Sequence, residues 1–410
     1  MSAWRMIMDQ PVLRMLAGLI ALLGAHNAAV YPYLSLIAVS YVGLSEAALA
    51  LVMALASVLA VSASVLIGIL GDQRASRRRL AIVTAGCAVA GSALMLAMPG
   101  PFALVVTHGI LLPVGWSIYG QAFGLAGLVM AGNPVRRDGV QAVIRAGMSA
   151  TFLALLIFFT FAFADSFHLD LVYACGLGLS LALFLLVLRA WPEDGTGGLP
   201  AGRSGLNMLQ SFAEIARPPV LLRMMLLGAV TSAGVVYMVL VSLVFEAAPG
   251  RSAGDVALYV GMVAGWEVPF MLLLPRIAAR VRRTTQMAWG TAVYVSHLAL
   301  MPVLADSAAL WLLPLLAGLG GAAILTLPIG YYQDLMQGRP GAASALIALQ
   351  KLVSDVVAAL IFGLGMTYGG HLATALTGAG VAVAGALALH LADRRDRPSA
   401  GIPLAVTGAP

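Results

Sequence analysis

Ala342-Ala-Ser-Ala-Leu-Ile-Ala-Leu-Gln350-Lys351-Leu-Val-Ser-Asp355-Val-Val-Ala-Ala-Leu-Ile-Phe-Gly-Leu-Gly-Met366 is an apolar run interrupted by two charges near its middle. The run is long enough to cross a hydrocarbon core of roughly 30 Å as one helix. Lys351 is the only lysine in the chain; every other basic residue is an arginine or histidine. Asp355 follows four residues later, so on a helix the two charges share a face and can touch. Charges inside a spanning helix are costly and mark a substrate or ion pathway by default. The alternative is a mutually neutralised pair that only locks two helices together.

Working outward, the whole chain has the character of this run. Hydrophobic residues make up 61% of the 410 and charged ones 10%, against about 45–50% and 25% in globular domains. Too little polar surface is available for a soluble fold, so the expected class is an all-α polytopic membrane protein embedded in a lipid bilayer. The 45 glycines fit membrane helices, which use small residues to approach one another. Apolar runs of about twenty residues, rather than ten-residue alternation, exclude a β-barrel. The net charge of +6 does not point to nucleic acid, since no basic run is interleaved with stacking aromatics. Cys87 and Cys175 lie in apolar runs and suggest neither a disulfide framework nor a metal site. Residues 1–10 lead directly into a full-length span, so no cleavable signal is expected.

Twelve spans are expected at roughly 12–37, 47–70, 80–98, 102–131, 140–164, 168–190, 219–245, 254–275, 285–305, 309–335, 341–367 and 370–392. The one long polar interruption, residues 191–218, divides them into an N-terminal half (1–190) and a C-terminal half (219–393). Residues 394–410 form a tail. Arginines fix the orientation. Arg5, Arg14, Arg74, Arg77, Arg78, Arg79, Arg136, Arg137, Arg189, Arg203, Arg217, Arg223, Arg276, Arg280, Arg282, Arg283, Arg339, Arg394, Arg395 and Arg397 all fall on one side. Arg251 alone falls on the other. That bias places both termini and the linker in the cytoplasm, and a missed span would scramble it.

The loop after span 2 reads Gly68-Ile-Leu-Gly-Asp72-Gln-Arg74-Ala-Ser-Arg77-Arg78-Arg79. It resembles the major facilitator signature: Gly68, Asp72, Arg77 and Arg78 match, while Gln73 and Ala75 depart from it. Such a cluster would hold the cytoplasmic side shut, with Asp72 accepting hydrogen bonds from arginines or a helix N-terminus. Gly265-Trp-Glu267-Val-Pro269-Phe-Met271 and Gly330-Tyr-Tyr-Gln333-Asp334-Leu-Met336-Gln-Gly338-Arg339-Pro-Gly341 narrow the likeness. With Gln121-Ala-Phe123-Gly-Leu125-Ala126 and Arg145-Ala-Gly-Met-Ser149, they resemble the bacterial sugar efflux transporter family over most of the chain. Gly127 stands where that family has an arginine, and Lys351 and Asp355 stand where it has small hydroxyl or amide residues. The resemblance implies two six-helix halves rocking about a central cavity, in a bacterial-type inner membrane.

Candidate substrate contacts are His26, Asn27, Tyr31, Trp116, Gln121, Arg145, Trp266, Glu267, Lys351 and Asp355. His26, Asn27 and Tyr31 form a polar patch suited to hydroxyl recognition, with His108, Trp116 and Gln121 a similar set in span 4. Each is equally readable as glue between helices. Glu267 lies near mid-span, where a carboxylate tends to bind a proton; Trp266 offers a flat face for a ring, or packs against lipid. Arg145 is a lone cation that pairs with Glu267 or Asp355, binds an anionic substituent, or snorkels to the surface. Glu267, Asp355 and Lys351 are the proton-coupling candidates. Gly68, Asp72, Arg77, Arg78, Gln333, Asp334 and Arg339 are the expected cytoplasmic gate.

No nucleophile elbow, zinc-ligand spacing, dinucleotide fingerprint or P-loop occurs, so neither an enzyme nor a cofactor or metal is expected. Without a nucleotide motif, an ion gradient or downhill flow is left as the energy source. The expected activity is proton-coupled efflux of sugars or sugar-like compounds, with a small molecule and protons as partners and the protein a monomer. Export of amphipathic drugs or metabolites is the alternative. A non-transporting receptor or embedded enzyme on the same scaffold is a third reading.

Overall fold

A computed structural model describes residues 2–34, 37–74, 76–163, 168–193, 208–251, 253–278, 281–337 and 339–395. Ala75, Arg203, Arg280, Gly338 and Arg397, the linker over 194–207 and the tail beyond Arg395 lie outside them. The described residues are predominantly helical, with no strand among them.

Among the described residues, ten stretches are long and apolar enough to cross a membrane. The last, Pro340–Arg394, is two helices. The chain leaves helical geometry at Gly369 and Gly370, where Gly370 takes φ 66°, a left-handed conformation that glycine adopts without steric cost. Arg283–Leu300 is a further eighteen-residue helix. The long helices, numbered here as spans in chain order, are 1, Pro11–Val30; 2, Glu46–Arg74; 3, Arg77–Ala97; 4, Pro101–Val129; 5, Pro134–Ala162; and 6, Leu169–Ala190. In the second half they are 7, Pro218–Ala247; 8, Ala253–Ala278; 9, Arg283–Leu300; 10, Leu313–Leu335; 11, 340–368; and 12, 371–395.

Proline sets many of the starts. Pro11, Pro101, Pro134, Pro218 and Pro340 are each the first residue of a helix, where the missing N–H has no intrahelical partner to lose. Inside span 4 the effect is different. A π-helical turn over Thr107–Leu111 precedes Pro113, absorbing the bond that the proline cannot make.

Each half buries its own apolar seam. Spans 1, 3, 4, 5 and 6 share cores around Leu16, Ile20, Phe123, Phe159 and Tyr173, and spans 7 to 12 share one around Leu240, Leu298, Ala317 and Ala382. Lipid is as apolar as these side chains, so close packing and not hydrophobic transfer holds them. Glycine makes the closest approaches. A Cβ on Gly341 would lie 1.8 Å from the Gly68 carbonyl oxygen, so spans 2 and 11 cross backbone against backbone. The linker also contributes a short helix, Met208–Ile215, that the sequence pattern did not announce.

Candidate functional site

At the arginine-rich end the two halves are bolted together. Asp72 at the end of span 2 is 3% exposed, and its carboxylate accepts from the backbone amides of Gly341 (3.0 Å) and Ala342 (3.1 Å). These are unsatisfied donors at the start of span 11, where the helix dipole also favours a negative charge. Arg77 and Arg339 approach the same carboxylate at 3.7 and 3.8 Å. Arg339 goes further: it pairs with Glu214 at 2.6 Å and donates to Ser211 at 3.3 Å, both on the linker helix. Ser211 also accepts from Gln73 of span 2 at 3.2 Å.

A second bolt mirrors the first. Arg137 and Asp138 open span 5, Asp334 closes span 10 and Arg283 opens span 9. Arg137 donates to Asp334 at 2.6 Å, Arg283 reaches the other Asp334 oxygen at 3.0 Å, and Arg283 is in direct contact with Asp138. Gln333 crosses between the halves, donating to the Phe123 carbonyl at 2.8 Å and accepting from Gln141 at 2.7 Å. A Cβ on Gly127 would sit 2.8 Å from the Gln333 amide. Glycine at 127, rather than the arginine of the resembled family, therefore makes room for this crossing.

Above the bolts lies a charged layer. Arg145, Glu267 and Lys351 each stand eleven residues from the arginine-rich ends of spans 5, 8 and 11, at Pro134, Ala278 and Pro340. At 1.5 Å per residue this is about 16 Å in, near mid-membrane. Arg145 donates to Ser149 at 3.0 Å on its own helix. The Ser149 hydroxyl and the Arg145 guanidinium both face the Glu267 carboxyl across the two halves, and Tyr119 of span 4 also lies within electrostatic reach of Arg145. Lys351 binds both oxygens of Asp355, at 2.9 and 2.8 Å. The Lys351 side chain is 73% exposed. Its direction follows from Ser344, two turns earlier on the same helical face, which donates at 2.6 Å to the Gly120 carbonyl of the first half. Val356 and Leu360, exposed on the opposite face, turn away from the first half. Lys351 and Asp355 therefore project into the space between the halves.

The third group is an aromatic and polar cluster within the first half. Tyr31 packs edge-on against His108 (6.2 Å) and Trp116 (5.8 Å). His108 hydrogen-bonds the Tyr173 hydroxyl at 2.8 Å, and His26 meets Ser92 at 3.2 Å.

No family model matches the chain. A curated protein of Deinococcus radiodurans described as "Putative sugar efflux transporter" is 26% identical over 371 residues, covering 84% of this chain and 88% of the relative. The solved Escherichia coli fucose:proton symporter superposes with a TM-score of 0.72 at 14% identity, over 94% of this chain and 98% of its own. Another solved structure, a major facilitator superfamily transporter in the outward conformation, gives 0.75 at 15% identity over 95% and 100%.

The chain has the major facilitator fold.

The major facilitator arrangement brings some of the sequence candidates together and separates others. Asp72, Arg77, Arg339, Gln333, Asp334 and Gly68 meet at the arginine-rich end. Arg78 does not join them; it pairs with Glu193 at 2.5 Å and donates to the Leu188 carbonyl at 2.9 Å, staying with span 6. Arg145, Glu267, Lys351 and Asp355 form the charged layer, and Lys351 takes Asp355 as its partner, not Glu267. Tyr31 and Trp116 touch. His26 is turned into the first half, 2% exposed, and Gln121 donates to Thr84 of span 3 at 3.2 Å, so both brace that half. Asn27 is half-buried one turn before Tyr31. Trp266 departs from its neighbour: it stacks on Phe270 and shares its exposed stripe with Leu258 and Leu273, away from Glu267.

The sequence alone did not single out Arg137, Asp138, Gln141, Arg283, Ser211, Glu214 or Tyr119 as members of the site. One signal was present. Arg77 opens span 3 and Arg283 opens span 9, three spans into each half, so the internal repeat marks Arg283 as the counterpart of a signature arginine.

Proposed function

We propose that the protein is a secondary transporter that moves a small polar molecule by alternating access, and that it exports sugars or sugar-like compounds in exchange for protons. The observation that carries this reading is the placement of the Glu267 carboxyl near mid-membrane, facing Arg145 and Ser149 of the other half. A carboxyl that pairs with Arg145 when ionised and releases it when protonated links a proton to the distance between spans 5 and 8. The bolted arginine-rich end is the cytoplasmic side of a bacterial-type inner membrane in this reading, with both termini cytoplasmic and the protein working as a monomer. Substrate enters the layer bounded by Glu267, Arg145 and Lys351, with the Tyr31–Trp116 pair offering ring faces above it. The relative's description and the fucose:proton symporter's title support the substrate class and the coupling ion.

The test is transport in proteoliposomes under an imposed pH gradient. Glu267→Gln is expected to keep substrate binding and to lose the dependence of flux on the gradient; an unchanged pH dependence would overturn the proton role. A second reading, export of amphipathic drugs or metabolites, is favoured by the Lys351–Asp355 charge pair projecting between the halves. A panel of neutral sugars and cationic dyes separates the two.

A further inference from the structure

The core of the second half contains a buried histidine that neither the gate nor the charged layer uses. His297 in span 9 is 0% exposed, and neither ring nitrogen makes a hydrogen bond of normal geometry with any described residue. The Tyr294 carbonyl one turn back lies beside the ring. Three tyrosine rings enclose it: Tyr237 of span 7 at 4.9 Å, Tyr294 at 5.5 Å and Tyr259 of span 8 at 6.0 Å. The hydroxyls of Tyr237 and Tyr259 are also buried without a protein partner. Each such group costs about 1–3 kcal/mol when left unsatisfied, and phenylalanine in these positions would pack without that cost. The two ring nitrogens and two surrounding tyrosine hydroxyls, none with a normal hydrogen bond, point to a ligand that is mobile and small: a proton, carried with internal water.

The cluster has two ends. Toward mid-membrane, the Tyr237 and Tyr294 hydroxyls lie within electrostatic range of the Glu267 carboxyl. Toward the other surface, Tyr259 packs on Phe245 and Trp311, and Arg251 covers both of those rings at 6.0 and 5.5 Å. Arg251 is held there by the carbonyls of Ala305 and Ser307, each at 2.9 Å. The titratable and charged groups facing His297 are thus Tyr237, Tyr259, Tyr294 and Glu267, with Arg251 behind the aromatic plug. Spans 11 and 12 present Ala358, Ile361, Ala375 and Ala382 to this core.

We propose that His297 is a second proton-holding site, exchanging its proton with Glu267 through the hydroxyls of Tyr294 and Tyr237 and intervening water. The proposal rests on the reading of Glu267 as a proton carrier. In the forward step the Glu267 carboxyl gives its proton to the relay, and the relay delivers one to an unprotonated His297 nitrogen. A carboxyl and a neutral imidazole become a carboxylate and an imidazolium, while each tyrosine hydroxyl ends with the proton count it began with. The net charge of the half is unchanged, and the imidazolium formed in the apolar core has the Glu267 carboxylate, reached through Tyr294 and Tyr237, as its counter-charge. The freed carboxylate then draws Arg145, and the proton is stored behind the cavity instead of in it.

The test is nitrogen-15 NMR of histidine-labelled full-length protein in liposomes, with the His297 signal assigned by its loss in His297→Phe. Wild-type protein is expected to show a protonated His297 population that grows as pH falls from 8 to 5. Glu267→Gln should reduce that population at least threefold, and the pair Tyr237→Phe and Tyr294→Phe should slow its exchange with water. A wild-type His297 locked in one neutral tautomer across this range, or one indifferent to Glu267→Gln and to both tyrosine changes, overturns the proposal. Flux without pH dependence alongside a titrating, Glu267-sensitive His297 would sink the coupling reading and leave this site standing. If His297→Phe does not fold, assignment by substituting the other five histidines singly gives the same readout.

Discussion

The carboxylate of Asp72 caps the helix that begins beside Gly341, taking the Gly341 amide at 3.0 Å across the boundary between the halves. One side chain of the first half thereby completes a helix of the second. A charge-assisted bond of this kind contributes about 1.5–3 kcal/mol, and the arginine-rich end has two of them from this residue. Asp72→Asn is expected to shift the population toward opening at this end by about tenfold or more. Spin-label distances between spans 2 and 11 read that shift; an unchanged distribution would deny Asp72 its gating role.

Gly68 and Gly341 permit that bond by letting the backbones touch. A side chain at 341 has no room, since its Cβ would meet the Gly68 carbonyl at 1.8 Å. Gly341→Leu is expected to block closure of the arginine-rich end and to abolish transport. Each half keeps its own core, so thermal unfolding should fall far less than transport. Loss of folding in proportion to loss of flux would show that the crossing is needed for assembly and not for the cycle.

Arg283 holds Asp138 and Asp334 together. Arg283→Ala leaves two carboxylates facing Arg137 alone, and like charges there repel. The closed state should weaken by more than about 1 kcal/mol, seen as faster cysteine labelling inside the gate. Asp138→Asn added to Arg283→Ala should recover part of that loss by removing one of the two negative charges.

Lys351 and Asp355 make the opposite case. An exposed i,i+4 pair stabilises by about 0.3–0.5 kcal/mol, and this lysine is 73% exposed. Lys351→Ala and Asp355→Asn should therefore leave the melting temperature nearly unchanged while altering gradient-driven flux. A large stability loss with normal flux would return the pair to helix glue.

Trp266 and Trp116 are separable by the same logic. Trp116 touches Tyr31, whereas Trp266 shares an exposed stripe with Leu258 and Leu273. Trp116→Ala is expected to raise the transport KM several-fold, and Trp266→Ala to change it little.

The arginine-rich end shows how unevenly its contacts were written into the chain. Asp72 stood out because a carboxylate beside glycine and arginines at a span end is locally conspicuous. Asp138, which does comparable work, follows two arginines in a stretch that reads as ordinary positive-inside charge. Its partner Arg283 lies 145 residues away, and no local pattern specifies which distant charge a helix end will meet. Likewise, Gly127 is legible as a departure from the resembled family, while its reason, the Gln333 amide 2.8 Å from where a Cβ would be, exists only across the interface.

Apolar run length and arginine spacing are one-dimensional quantities, imposed by membrane thickness and by the charge asymmetry of insertion. They alone determined the membrane class, the positions of the spans and the side on which the arginines gather. Helical period adds direction, placing Lys351 and Asp355 on one face by their spacing alone. What that face meets is a three-dimensional question. Trp266 and Glu267 are neighbours in sequence, yet about 100° apart around their helix. Only the packing of span 8 between spans 5 and 10 decided that the carboxylate looks toward Arg145 and the indole does not.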